Sequence, residues 1–124
     1  MAIGAFVPLA LFVVVLASVG VAFGWAAGEA LGHYRASRRQ RALGLADPVL
    51  ANRFLLWGVA SVTSSVLMGG IVACVLTRMT ILHEPLPLAA MAASGAVMSG
   101  TWYLTFFPPR SYQRFIRERA VGSA

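Results

Sequence analysis

The chain of 124 residues is 59% hydrophobic and 11% charged, with a mean hydropathy of +0.77. A globular domain carries about 25% charge, so a chain this poor in charge needs lipid to cover its surface. At about 20 residues per span the length admits three or four transmembrane helices and excludes a large extramembrane enzyme. Ten arginines, no lysine and four acids leave a net charge of +6. In so apolar a chain that charge is a topology signal before it is a nucleic-acid footprint, and no nucleic-acid partner is expected. Cys74 stands alone in an apolar run, so no intrachain disulfide is available.

The first span is expected at about 4–28, where no charge appears before Glu29. A cleaved leader would need basic residues ahead of its apolar run. Here the arginines follow it, as behind a retained anchor whose N-terminus crosses the membrane. Asp47-Pro48 is a helix start, an N-cap carboxylate followed by proline at the first helical position. The second span is expected at about 54–77, closed by Arg53 and Arg78. The third, at about 86–108, is preceded by Glu84, entered through Pro85 and Pro87 and left through Pro108-Pro109. At about 110–120 a short amphipathic helix should follow on the membrane surface. Tyr112, Phe115 and Ile116 would point into lipid, opposite Arg110, Arg114, Arg117 and Glu118.

The fold class expected is therefore an all-α polytopic membrane protein, one membrane domain with three transmembrane helices plus that C-terminal amphipathic interfacial helix. Arg35, Arg38, Arg39, Arg41 and Arg53 lie between spans one and two, Arg110, Arg114, Arg117 and Arg119 after span three, and only Arg78 in the second loop. The positive-inside rule then puts the N-terminus outside and the C-terminus in the cytoplasm, in a bacterial inner membrane. Trp25, Trp57 and Trp102 are all expected at the cytoplasmic interface. Arg35, Arg38, Arg39, Arg41, Arg110, Arg114 and Arg117 are the candidate contacts to anionic lipid headgroups.

Lines of small residues at i+4 spacing mark helix-packing faces, because apolar helices associate in lipid through close backbone approach and hydroxyl hydrogen bonds. Span one carries Gly20, Gly24, Gly28 and Gly32; span two Ser61, Ser65, Gly69, Ala73 and Thr77; span three Ala92, Ala96 and Gly100. Their partners are other transmembrane helices, in this chain or in another subunit. The hydroxyls of Ser61, Thr63, Ser64 and Ser65 are expected to bond within their helix or to a neighbour rather than line a pore.

Chemistry has little foothold. His33 and His83 fall on opposite sides of the membrane in this topology, so they cannot share a haem or metal. No cysteine pair, paired intramembrane carboxylates, phosphate-cradling loop or nucleophile beside a base can be read, so no catalytic residue, cofactor or metal site is assigned. Glu29 is the candidate ionisable group near a span, and an i, i+4 pair with His33 would satisfy it.

The segments Leu43-Gly44-Leu45-Ala46-Asp47-Pro48-Val49 and Asn52-Arg53-Phe54-Leu55-Leu56-Trp57-Gly58, with Phe106-Phe107-Pro108-Pro109 and Tyr112, resemble the C-terminal part of uncharacterised multi-pass bacterial membrane proteins. The resemblance covers roughly residue 32 onward and brings no activity with it; those proteins hold additional N-terminal spans. It implies kinship only. The expected function is that of an accessory subunit, assembly factor or sensor-type membrane module acting through helix contacts, not an enzyme. The alternatives are an oligomeric transporter or ion-conducting protein, and a membrane-anchor subunit of a respiratory complex.

Overall fold

The computed structural model describes residues 2–77 and 84–122, the side chains of residues 2–6 excepted; Arg78 and His83 lie outside the described residues. Four helices follow one another: α1 Ala2–Ala42, α2 Pro48–Leu76, α3 Pro85–Phe106 and α4 Arg110–Val121. Three of the four begin where sequence chemistry dictates. Asp47 caps α2, its Oδ1 accepting from the Val49 N–H at 2.9 Å, with Pro48 just inside the helix. Pro85 opens α3, and Pro108-Pro109 separates it from α4.

The first helix differs from expectation in length. It does not end near Gly28 but continues through the arginine run to Ala42, about 60 Å at 1.5 Å per residue, twice a bilayer's hydrocarbon thickness. Arginine is a good helix former, so charge closes the span without closing the helix. Gly44 closes it. At φ 71° it is left-handed, and the N–H groups of Leu45 and Gly44 donate to the carbonyls of Gln40 (3.0 Å) and Arg41 (2.9 Å), a Schellman termination. Gly44→Ala places a Cβ in that conformation and should destabilise the α1–α2 hairpin by about 1–2 kcal/mol, read as a lowered thermal midpoint in mild detergent. An unchanged midpoint would show that this turn contributes nothing.

Two helices, α1 and α2, are long and apolar enough to cross a membrane, where three were expected. α3 is uncharged over its 22 residues, but its proline, glycine, alanine and hydroxyl side chains make it less apolar than the other two. The large hydrophobic side chains Val7, Leu9, Leu11, Phe12, Val14 and Val15 are all exposed, so residues 7–15 of α1 present a broad apolar surface. A soluble monomer does not leave a patch of that kind in water.

α2 is the central helix. α1, α3 and α4 each pack on it, and among the described residues no close backbone approach joins α1 to α3 or to α4. α1 runs antiparallel to α2: Gly20 lies against Ser65 and Met68, Leu31 against Gly58, and His33 stacks on Phe54. Along α1 the buried or half-buried positions include Val13, Leu16, Gly20, Phe23, Ala27, Ala30, Tyr34, Ser37 and Arg41, in alternating steps of three and four, with Ala26 and Leu31 beside that line. That is a heptad seam of period 3.5, the pattern that keeps one stripe facing a partner crossed at a shallow left-handed angle. α3 shows the same rhythm in Pro87, Met91, Ser94, Met98, Thr101, Thr105 and Pro108 just beyond its end.

Candidate functional site

The heptad seam determines which small residues meet a neighbour inside the chain. An i+4 line drifts by about 40° per step on a helix of 3.6 residues per turn, so it leaves such a seam within two or three steps. Gly20 is on the seam, where an added Cβ would stand 3.3 Å from Met68 Cβ; at Gly24 it would be 3.5 Å from Ser65 Oγ. At Gly28 and Gly32 it would meet nothing within 4 Å. On α2, Ser61 is fully buried and Ser65 donates to the Gly20 carbonyl at 2.9 Å. Gly69, Ala73 and Thr77 are exposed. On α3, Ala92, Ala96 and Gly100 are all exposed, and a Cβ on Gly100 would also meet nothing. The tightest glycine contact among the described residues is at Gly58, whose added Cβ would lie 2.9 Å from the Leu31 side chain at Cδ2. Gly58 carries the closest contact yet belongs to no i+4 line of small residues, and only the antiparallel register brings it opposite Leu31.

The hydroxyls divide by partner. Thr63 and Ser64 donate to the carbonyls four residues back in α2, Val59 and Ala60, while Ser65 reaches across to α1. Ser61 Oγ has no partner among the described residues although the residue is 0% exposed. A buried hydroxyl left unsatisfied costs about 1–3 kcal/mol. Ser61→Ala should therefore raise the thermal midpoint, whereas Ser65→Ala should lower stability by about 0.6 kcal/mol, the usual worth of an interhelical bond in lipid. A lowered midpoint for Ser61→Ala would mean that its oxygen is bonded in the folded protein.

Trp57, Trp102 and Phe106 cluster between α2 and α3, with Trp102 and Phe106 stacked at 5.4 Å and Trp57 at 5.9 Å from Trp102. Trp57 and Trp102 thus share one level. Trp25 does not. Gly58 packs on Ala30 and Leu31, which in an antiparallel pair puts Trp57 level with Leu31 and Gly32 and leaves Trp25 six to seven residues, about 10 Å, farther along the helix, 74% exposed. The expected Glu29–His33 pair is absent: both are exposed, no ion pair joins them, and the His33 ring stacks on Phe54 at 5.3 Å instead. Aromatic stacking across helices replaces the local electrostatic pair. No group of three His, Cys, Asp or Glu gathers among the described residues.

Chemical functionality converges in one place, a groove of about 1170 Å³ where the end of α1, the start of α2 and α4 meet. Its floor is α2, through Pro48, Asn52 and Leu55. One wall is the α1 face of Tyr34, Arg38 and Arg41, at i, i+4 and i+7. The other is α4, through Ile116, Arg117 and Arg119. α4 is held by Asn52, whose Nδ2 donates to Tyr112 Oη at 2.7 Å, and by Gln113, whose Nε2 donates to the Pro108 carbonyl at 3.0 Å. This corrects the expectation for α4. Tyr112 and Ile116 are half-buried and face protein, while Phe115 is exposed with the Arg119 guanidinium 5.9 Å from its ring centre. Of the candidate headgroup arginines, Arg38, Arg41 and Arg117 line the groove; Arg35, Arg39, Arg110 and Arg114 are exposed outside it. Arg119, absent from the sequence-based set, joins it because α4 turns its Ile116 and Ala120 side toward α2.

No family model, curated protein or solved structure matches this chain.

Proposed function

We propose that the protein is a small integral membrane protein that works by contact, as an accessory subunit, assembly factor or sensor-type membrane module. The observation carrying this reading is the pair of smooth faces that the chain leaves unfilled: Gly28 and Gly32 on α1, and Ala92, Ala96 and Gly100 on α3. Small residues are where helices approach one another closely in lipid, and among the described residues nothing would stand within 4 Å of a Cβ added at Gly28, Gly32 or Gly100. α3, about 33 Å long and lying beside α2, is taken as the third span. The arginine bias places the N-terminus outside and the C-terminus in the cytoplasm of a bacterial inner membrane. The resemblance of residues 43–58 and 106–112 to the last helices of multi-pass bacterial membrane proteins would fit a module that completes a larger helical assembly.

A transporter would have to build its path between chains, because α1 and α3 lie apart with α2 between them. Gentle detergent extraction followed by native mass measurement separates the readings. The contact reading expects a heteromeric assembly that Gly28→Leu or Gly100→Leu dissociates while membrane insertion is preserved. A homo-oligomer would favour transport, and a monomer would sink both.

A further inference from the structure

The groove between α1, α2 and α4 has three properties that together select a ligand. First, its charge is of one sign. Arg38 and Arg41 come from one wall and Arg117 and Arg119 from the other, with no carboxylate among the lining residues. The nearest acids are turned away or engaged: Asp47 caps α2, and Glu118 lies about 180° around α4 from the Ile116–Ala120 face. None of the four arginines forms an ion pair among the described residues, Arg119 alone having an aromatic neighbour. Second, the floor and walls also present Leu55, Ile116 and Val121, an apolar lining beside the guanidinium groups. Third, the groove lies one turn from the Trp57–Trp102–Phe106 cluster, the residue types that sit at the headgroup level of a bilayer.

We infer that this groove binds a phospholipid headgroup carrying two phosphates. Guanidinium matches phosphate geometry through paired N–H donors, and four arginines along one cavity supply donors enough for two phosphates. The volume of about 1170 Å³ exceeds what a single phosphate fills and accommodates the linking glycerol with the first carbons of the chains. Tyr34 and Asn52 supply polar groups at the floor and wall. Arginine attracts anionic lipid at any membrane surface, worth about fivefold in affinity per residue. What distinguishes the groove is that four arginines from two helices line one cavity, whereas Arg35, Arg39, Arg110 and Arg114 lie outside it.

The inference rests on the membrane reading, and its test keeps the two apart. The full-length chain is reconstituted into phosphatidylcholine vesicles and floated, then extracted gently and examined by native mass spectrometry with diphosphatidylglycerol or, at equal charge, phosphatidylglycerol. The expected result is one retained diphosphatidylglycerol per chain, held at least tenfold more tightly than phosphatidylglycerol. The double variant Arg41→Gln/Arg117→Gln should lose about 25-fold in affinity, and Arg35→Gln/Arg114→Gln, with the same loss of charge outside the groove, should lose little. Inorganic pyrophosphate should not displace the lipid; displacement would assign the site to a soluble diphosphate. Equal loss in both double variants, or equal retention of both lipids, would overturn the site while leaving the membrane reading intact. Failure of the wild-type chain to float with neutral vesicles would instead overturn the membrane reading.

Discussion

Replacing Gly58 with leucine should force α1 away from α2 and destabilise the folded hairpin by about 2–3 kcal/mol. The cause is local and steric. A single added Cβ would already stand 2.9 Å from Leu31 Cδ2 and 3.0 Å from its Cγ, with Ala30 Cβ at 3.8 Å behind. Leu31 can swing its terminal methyl, so Gly58→Ala should cost only about 1 kcal/mol. A leucine has nowhere to go, because Ala30 and Ala27 are themselves buried in the seam. Gly28→Leu is the informative contrast. It adds the same side chain where nothing lies within 4 Å, so it should leave the isolated chain's unfolding midpoint unchanged and act only on association with a partner. Thermal unfolding of both variants in mild detergent reads the first effect, and native mass the second. If Gly28→Leu lowers the midpoint as much as Gly58→Leu, the seam has been placed on the wrong side of α1.

Tyr112→Ala should release α4 from α2 and open the groove. The ring is half-buried, and its hydroxyl accepts the Asn52 amide at 2.7 Å. Loss of ring burial together with that bond is worth about 2 kcal/mol, which raises the open population about 30-fold. Trypsin cleavage after Arg114 and Arg117 in detergent-solubilised protein measures that population, provided reclosing is faster than cutting. Tyr112→Phe keeps the ring and should raise cleavage only about fivefold, the share of one neutral hydrogen bond. Phe115→Ala, at an exposed position on the same helix, should change little. Equal acceleration by Phe115→Ala and Tyr112→Ala would show that α4 is held by its exposed ring and not by α2.

The parts of this fold that were legible in sequence are those governed by neighbours along the chain. Asp47-Pro48, Pro85 and Pro108-Pro109 announce helix boundaries because capping and the missing proline N–H act within one turn. The uncharged stretches and the one-sided arginines are likewise properties of composition. The arginine run hid the true end of α1, since the residue that terminates it is Gly44, which needed its left-handed conformation to be seen. The phase of the helix faces was not legible. Whether a small residue meets a partner depends on the crossing of two helices, and a shallow crossing selects period 3.5 over the period-4 lines that catch the eye. Hence Gly58 outranks Gly28, and Trp25 falls below the level of Trp57. The groove was the least accessible of all. It joins Arg41 to Arg117 and Asn52 to Tyr112, 60 positions apart in the latter case, and no local rule relates residues whose proximity is created by packing three helices on one.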